Sequence, residues 1–176
     1  MKFCSHCGHK LTFGHVPDDE HKRFYCKNCG AIHYQNPKMI VGCLPVWDDK
    51  ILLCKRAIEP KKGLWTLPAG FLENGERADE GALRETEEEA HAEVKIIRLF
   101  SVYSLPTVGQ VYLMYLAKLL NLNFHPGKES THVELFAKAD IPWGQIAFSS
   151  IRFTLDKYLN DKPPTEGEAF LGALQR

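Results

Sequence analysis

The chain has 176 residues, 44% hydrophobic and 25% charged, the balance of a soluble globular protein with room for one compact domain and a small appendage. Its formal net charge is zero, so no global basic field draws it to nucleic acid or anionic membrane, and no apolar run is long enough to span a bilayer. The N-terminus enters Phe3-Cys4 without a hydrophobic leader, so a cytoplasmic location is expected, with cysteines serving as metal ligands or buried thiols.

The first element is a pair of cysteine knuckles. Cys4-x2-Cys7 and Cys26-x2-Cys29 are separated by eighteen residues, the spacing of a four-cysteine structural zinc site. Gly8 and Gly30 follow the two pairs and suit the tight turns that aim two thiolates at one ion. Residues 1–36 are polar and have little to build a core from, so zinc would supply much of their folding free energy. Without it these would be two pairs of unliganded thiols in a segment with no fold. Lys10, His15, His21, Lys22 and Arg23 lie nearby, but Asp18, Asp19 and Glu20 offset most of that charge, which disfavours nucleic-acid binding. A structural lid or part of a dimer interface is the favoured role.

Beyond Asn36-Pro37, residues 39–47 read as a strand, 48–50 as a turn and 51–56 as the returning strand of a hairpin. Cys43 and Cys54 fall in its apolar pattern as buried thiols. A charged loop covers 57–63, and 64–67 form a short strand leading into a glycine-containing loop. A helix is expected over 77–90. It places Glu85, Glu88 and Glu89 at i, i+3, i+4, within an arc of roughly 100°. Like charges so spaced repel, and a hard divalent cation held by their oxygens would offset that repulsion. The competing reading is a solvated acidic face. Against it stand Arg84 within the cluster and a neighbouring stripe of small residues, Ala78, Ala82, Thr86 and Ala90, fit for close packing on a sheet. Glu80 and Glu87 point away as surface charges. Arg84 could orient one of these carboxylates or make a simple i+4 bridge to Glu88.

Residues 94–105 and 110–120 read as two long strands joined by a turn, 134–137 as a short strand, and 147–159 as a helix with Phe148, Ile151, Leu155 and Leu159 on one stripe. The polar stretch 127–132 is long enough to fold over a substrate. After Asp161 the chain turns to Lys-Pro-Pro and Gly and reads as a loosely held tail. The divisions expected are therefore 1–36, 37–161 and 162–176. The order of elements gives an α/β fold, a mixed sheet with one helix on each side.

The run 70–92 resembles the signature of the Nudix hydrolases, Gly-x5-Glu-x7-Arg-Glu-U-x-Glu-Glu-x-Gly-U with U bulky aliphatic. Gly70, Glu76, Arg84, Glu85, Glu88 and Glu89 match in register. Thr86, His91 and Ala92 depart, which touches packing and the helix ending but no charged position. The resemblance covers roughly 38–161 and implies an α/β/α sandwich. It also implies magnesium (or manganese) held by Glu85, Glu88, Glu89 and the Gly70 carbonyl, and a Glu76–Arg84 pair. The implied reaction is hydrolysis of a nucleoside diphosphate linked to another group X. The general base would be Glu85, or a later glutamate, Glu129 or Glu134. Arg56, with Lys55 as a second candidate, would contact phosphate. Phe13, Tyr34, Trp47, Tyr103 and Phe124 are candidates for stacking on a base or flavin. A homodimer through the long strands is expected by analogy with this family.

Two Nudix groups with a zinc ribbon are relevant to X. The NADH pyrophosphatases carry a Ser-Gln-Pro-Trp-Pro-Phe-Pro stretch, where this chain has Ser-Val-Tyr-Ser-Leu-Pro over 101–106. NADH and NAD-capped RNA are thereby disfavoured. The chain is similar to FAD and ADP-ribose pyrophosphatases in Arg56-Ala57-Ile58-Glu59-Pro60, in residues 63–71, in 81–86 (where threonine at 86 is familiar) and in Ile141-Pro142-Trp143. FAD or ADP-ribose, cleaved to AMP and a second monophosphate, is the favoured substrate. A housecleaning nucleoside triphosphate pyrophosphohydrolase and a nucleic-acid-binding regulator on a Nudix fold are the alternatives.

Overall fold

The computed structural model describes residues 1–165 and 167–174. They divide into two compact units, Met1–Asn36 and Pro37–Arg176, taken separately below.

The N-terminal unit is a three-stranded antiparallel sheet of β1 (Thr12–Gly14), β2 (Arg23–Tyr25) and β3 (Ile32–His33). Two knuckles flank it, and each closes alike. The Gly8 N–H donates to the Cys4 carbonyl and the Gly30 N–H to the Cys26 carbonyl, both at 2.9 Å. Both glycines have positive φ, +73° and +74°, which an L side chain would resist. Of its hydrophobic side chains only Cys4, Val16 and Cys26 are buried, so this unit has little apolar core, as the composition predicts.

The larger unit is built on one mixed sheet. Its strands are β4 (Lys38–Trp47), β5 (Lys50–Arg56), β6 (Trp65–Thr66), β7 (Ala69–Phe71), β8 (Val94–Leu105), β9 (Gln110–Leu119), β10 (Ser130–Ala137) and β11 (Phe170–Ala173). The order is β10-β5-β4-β9-β8-β11, with β4–β9 and β8–β11 parallel. Period-two alternation assigns the faces. Ile40, Leu44, Ile51, Leu53 and Met114 pack with Ile151 and Leu155 of helix α2 (Ser149–Asn160). Val41, Cys43 and Ala117 pack with Ala82 of helix α1 (Ala78–Ala90). One helix thus covers each face, the expected sandwich. Cys43 and Cys54 are fully buried, and burial pushes both thiols up, Cys43 to about 11, so they are packing residues.

The sheet forks at β4. β5 pairs with it only at Val46 and Trp47, while β7 pairs with Ile40–Gly42 further along. β5 diverges to pair with β6 and β10. The gap between the arms becomes the mouth of the site.

Three expectations are corrected. The segment 162–176 is not only a loose tail: Phe170–Ala173 adds an edge strand to β8, and the Phe170 ring meets Phe100 at 5.3 Å. A four-residue strand has no local signal and forms only because an open edge is at hand. Residues 166, 175 and 176 lie outside the described residues. The strand expected over 134–137 begins at Ser130, because the open edge of β5 pairs with it as far as Arg56. And β7, read as loop, is a strand because β4 offers it donors and acceptors.

Helix α1 starts with the Arg77 N–H donating to Glu80 Oε2 at 2.8 Å, which gives Glu80 a local capping role. It ends at His91, which adopts the left-handed conformation (φ 44°) and donates its N–H to the Glu87 carbonyl at 2.8 Å. Glycine normally takes this position because a side chain there costs about 1 kcal/mol. Replacing His91 by glycine is expected to raise stability by about 1 kcal/mol, read as an upward shift of the urea midpoint with unchanged slope. A fall would mean that the His91 ring contacts outweigh the backbone strain.

Candidate active site

On α1 the small-residue stripe faces inward: Ala82, Thr86 and Ala90 are fully buried, and Thr86 Oγ1 donates to the Ala82 carbonyl at 2.8 Å. This brings the acidic flank to the sheet edge. Glu89 is buried (5% exposed), Glu85 is mostly covered (12%), and Glu88 is exposed (60%). Glu80 and Glu87 face solvent.

Arg84 joins the cluster. Its Nε and Nη2 form a fork on Glu76, at 3.0 and 2.7 Å. Nη1 reaches Glu85 at 2.7 Å and Glu88 at 3.2 Å, and Nη2 also donates to the Phe71 carbonyl at 3.0 Å. The simple i+4 bridge to Glu88 exists, but the bidentate pair with Glu76 is the shorter and more directional contact. The Glu73 N–H donates to Glu76 at 2.7 Å. Hydrogen bonds from Arg84, and then from that amide, hold the Glu76 carboxyl down at about 2. A Cβ on Gly70 would collide with the Glu85 carboxylate, so a larger residue here would displace that side chain from its place beside the strand.

Glu89 is in the opposite state. Its Oε2 accepts from the Ala69 N–H at 3.3 Å, and it forms no ion pair among the described residues. Burial, with repulsion from Glu85 and Glu129, lifts it to about 8. Burial also raises Glu85 against the pull of Arg84. Oxygen donors that repel one another and lack a full countercharge fit a hard divalent cation. The three carboxylates do not converge as tightly as the thiolates. Among the described residues, Cys4, Cys7, Cys26 and Cys29 are the one group of metal-binding side chains with ligand atoms all within 4.8 Å. Their sulfurs approach at 3.7 Å (Cys4–Cys29) and 3.5 Å (Cys7–Cys26). His33 Nε2 lies 3.3 Å from Cys4 Sγ, beside the cysteines.

The carboxylates open into a cleft of about 890 Å³. Glu85, Glu88, Glu89, Gly70, Arg84, Arg56 and Glu129 all line it. Glu76 sits behind Arg84, outside the lining. Glu134 is exposed on β10, opposite Leu53, and is not among the lining residues. Arg56 donates from Nε to the Pro60 carbonyl at 2.8 Å, and its guanidinium lies 5.2 Å from the Phe148 ring centre. Lys55 instead packs over Trp65 and is not in the cleft.

The floor was not foreseen. Cross-strand register aligns Phe71, Ile40 and Tyr112 in one row, and Leu105, Phe148 and Ile151 complete an apolar wall. Trp47, Tyr103 and Phe124 do not line the cleft, and Phe13 and Tyr34 belong to the N-terminal unit. Lys128 and His91 are further lining residues missed in the sequence. Alternation places Phe71 opposite to Gly70, a signal present in the sequence once β7 is known. Tyr112 and Phe148 carry no comparable sign, because many aromatic residues of this chain occupy equivalent core positions.

This fold and this carboxylate cluster define a Nudix hydrolase, an enzyme of pyrophosphate bonds. The chain belongs to that family: the model described as NUDIX domain matches residues 36–153. It is of the kind with an N-terminal zinc ribbon, described as Nudix N-terminal, which matches residues 2–35. A crystal structure of a NUDIX hydrolase from Nitrosomonas europaea is 51% identical with a TM-score of 0.92, covering 100% of both chains. The ADP-ribose pyrophosphatase of Methanocaldococcus jannaschii is 30% identical over 70% of this chain and 74% of its own length. The NAD-capped RNA hydrolase NudC of Photobacterium profundum is 31% identical over 79% of this chain. The chain spans only half of that relative's length (50%).

Without magnesium or manganese, Glu89 binds its proton more tightly in the folded than in the unfolded protein. The unfolded carboxyl ionises near 4.5 and the folded one near 8, so stability falls as pH rises between those values. Glu76 acts with the opposite sign and lower: its contribution is complete above 4.5 and is lost as pH falls towards 2. Urea titrations of zinc-loaded protein without magnesium or manganese should show declining stability from pH 5 to 8 in the wild type and a flatter profile in Glu89→Gln. An identical slope in both would place the proton elsewhere. Stripping zinc, or Cys4→Ser with Cys26→Ser, is expected to unfold residues 1–36, read as lost amide protection there together with lost zinc. Unchanged protection would rule out a metal-dependent ribbon.

Proposed function

We propose that this chain is a magnesium- or manganese-dependent pyrophosphatase that cleaves the pyrophosphate bond of ADP linked to X, with FAD or ADP-ribose as substrate and AMP as one product. The observation that carries this reading is the juxtaposition of the carboxylate cluster and the aromatic floor within one cleft of about 890 Å³. That volume lies in the range of sites enclosing extended ligands. Similarity to an ADP-ribose pyrophosphatase supports the choice. The sequence likeness over 56–71 adds FAD.

Glu85, Glu88, Glu89 and the Gly70 carbonyl would hold the metal. When bound, it neutralises charge on the phosphate oxygens and acidifies coordinated water. Arg84 and Glu76 keep Glu85 and Glu88 oriented. Glu129 is the preferred base: it lines the cleft, whereas Glu85 is engaged by Arg84 and Glu134 lies outside. Glu129 accepts the proton of the attacking water as the bond from phosphorus to the leaving oxygen breaks. Arg56, fixed through Nε, keeps its remaining donors for phosphate oxygens. Phe71, exposed in the cleft, offers its ring to a planar base or flavin, and Tyr112 and Phe148 extend the apolar lining around it. Zinc on the four cysteines has a structural role.

The similarity to NudC favours one other substrate, NADH or an NAD-capped end. A screen over FAD, ADP-ribose, NADH and nucleoside triphosphates, with products identified, separates them. AMP plus FMN, or AMP plus ribose 5-phosphate, is expected. Turnover confined to NADH, or pyrophosphate released from triphosphates, would sink the substrate assignment. Glu89→Gln should lower turnover of the preferred substrate about 100-fold or more with the fold retained.

A further inference from the structure

We infer that Gly127 is a positioning residue. It straps the turn bearing Lys128 and Glu129 onto the C-terminal end of α1, so that Glu129 is presented as a fixed group and not on a swinging lid. The Gly127 N–H donates to the Glu89 carbonyl at 3.0 Å, and two residues earlier the His125 N–H donates to the Ala90 carbonyl at 2.9 Å. These are carbonyls that the end of a helix leaves without intrahelical partners. The Gly127 Cα backs directly onto the Glu88 carbonyl, and a Cβ there would collide with it. Its φ is not positive, so the requirement for glycine is one of space and not of backbone conformation.

The strap has a second fastening beyond Glu129. The Ala57 N–H, one residue past Arg56, donates to the Glu129 carbonyl at 2.8 Å. Between the two fastenings the Ser130 N–H donates to the Gly127 carbonyl at 3.2 Å and closes a turn, and Ser130 itself begins β10 opposite Arg56. The backbone of residue 129 is therefore tied on one side to the helix that carries Glu88 and Glu89, and on the other to the strand that carries Arg56. All of these side chains line the same cleft. The Glu129 side chain thus needs no loop closure to reach its place. The polar stretch 127–132, long enough to fold over a substrate, is instead fastened at its start to α1 and pairs from Ser130 onward with β5.

The catalytic part of this inference rests on Glu129 as the base, so two measurements are needed. The first uses the zinc-loaded wild-type protein with no magnesium or manganese and no substrate. Amide exchange at Ala57, His125, Gly127 and Ser130 should be slowed to the level of the last turn of α1. Exchange at the rate of an unprotected peptide at these amides would overturn the strap. The second is a double-mutant cycle with magnesium and the preferred substrate. Gly127→Ala should lower kcat about 10- to 100-fold with little change in KM, since displacements near 1 Å have such effects. Ala57→Pro, which deletes the second donor while leaving the extended Arg56 permissible, should act likewise. Once Glu129→Gln is present, adding Gly127→Ala should change kcat by no more than about twofold. Additive losses would overturn the positioning role. If Glu129→Gln turns over normally while the amides stay protected, the base assignment and the catalytic half of this inference fall together.

Discussion

The guanidinium of Arg84 holds the site together. It binds Glu76 with two nitrogens, reaches Glu85 and Glu88 with a third, and takes the Phe71 carbonyl as well. One side chain thus connects the loop before α1, the helix and strand β7. A lysine could not do this, because a point charge has no rigid fork to address three carboxylates and a carbonyl at once. Arg84 also divides the acids into two kinds. Glu76 is held as an anion down to about pH 2. Glu89, which Arg84 does not touch, is left buried and proton-seeking.

The short strand β7 brings two kinds of surface into the one cleft. Successive residues on a strand face opposite sides. Gly70 therefore meets Glu85 on the α1 side, and Phe71 joins Ile40 and Tyr112 on the α2 side. The carboxylate cluster and the aromatic floor are thus approached by consecutive residues on opposite faces of one strand. The fork at β4 makes room for this, since β5 leaves the edge that β7 then occupies.

The two units obey different physics. The larger one is stabilised by apolar layers on both faces of its sheet, with side chains such as Leu44, Leu53 and Leu155 wholly removed from water. The smaller one has short strands, a few partly exposed aromatic rings and four sulfurs drawn together. Its cysteine spacing and paired glycines make sense as a frame for an ion, which replaces the core it lacks.

Sequence alone determined whatever depends on local periodicity and fixed spacing. The four cysteines, the face of α1, the buried stripe of Ala82, Thr86 and Ala90, and strand β8 to its exact residues were all legible, since each is written within one element or one repeat of a turn. The pairing of Glu76 with Arg84 was available only through resemblance, because eight residues and a loop separate them. Tertiary structure decided the rest. β7, the first part of β10 and β11 are strands because open sheet edges supply their hydrogen-bond partners, not because their residues demand it. Phe71, Tyr112 and Phe148 became the floor, and Trp47 and Tyr103 did not, because register across several strands selects which rings meet the cleft. Glu129 was separated from Glu134 in the same way: one lies in a turn fastened at both ends beside the carboxylates, the other five residues further along an edge strand. Such choices depend on contacts between residues distant in the chain, and those exist only once the sheet has closed.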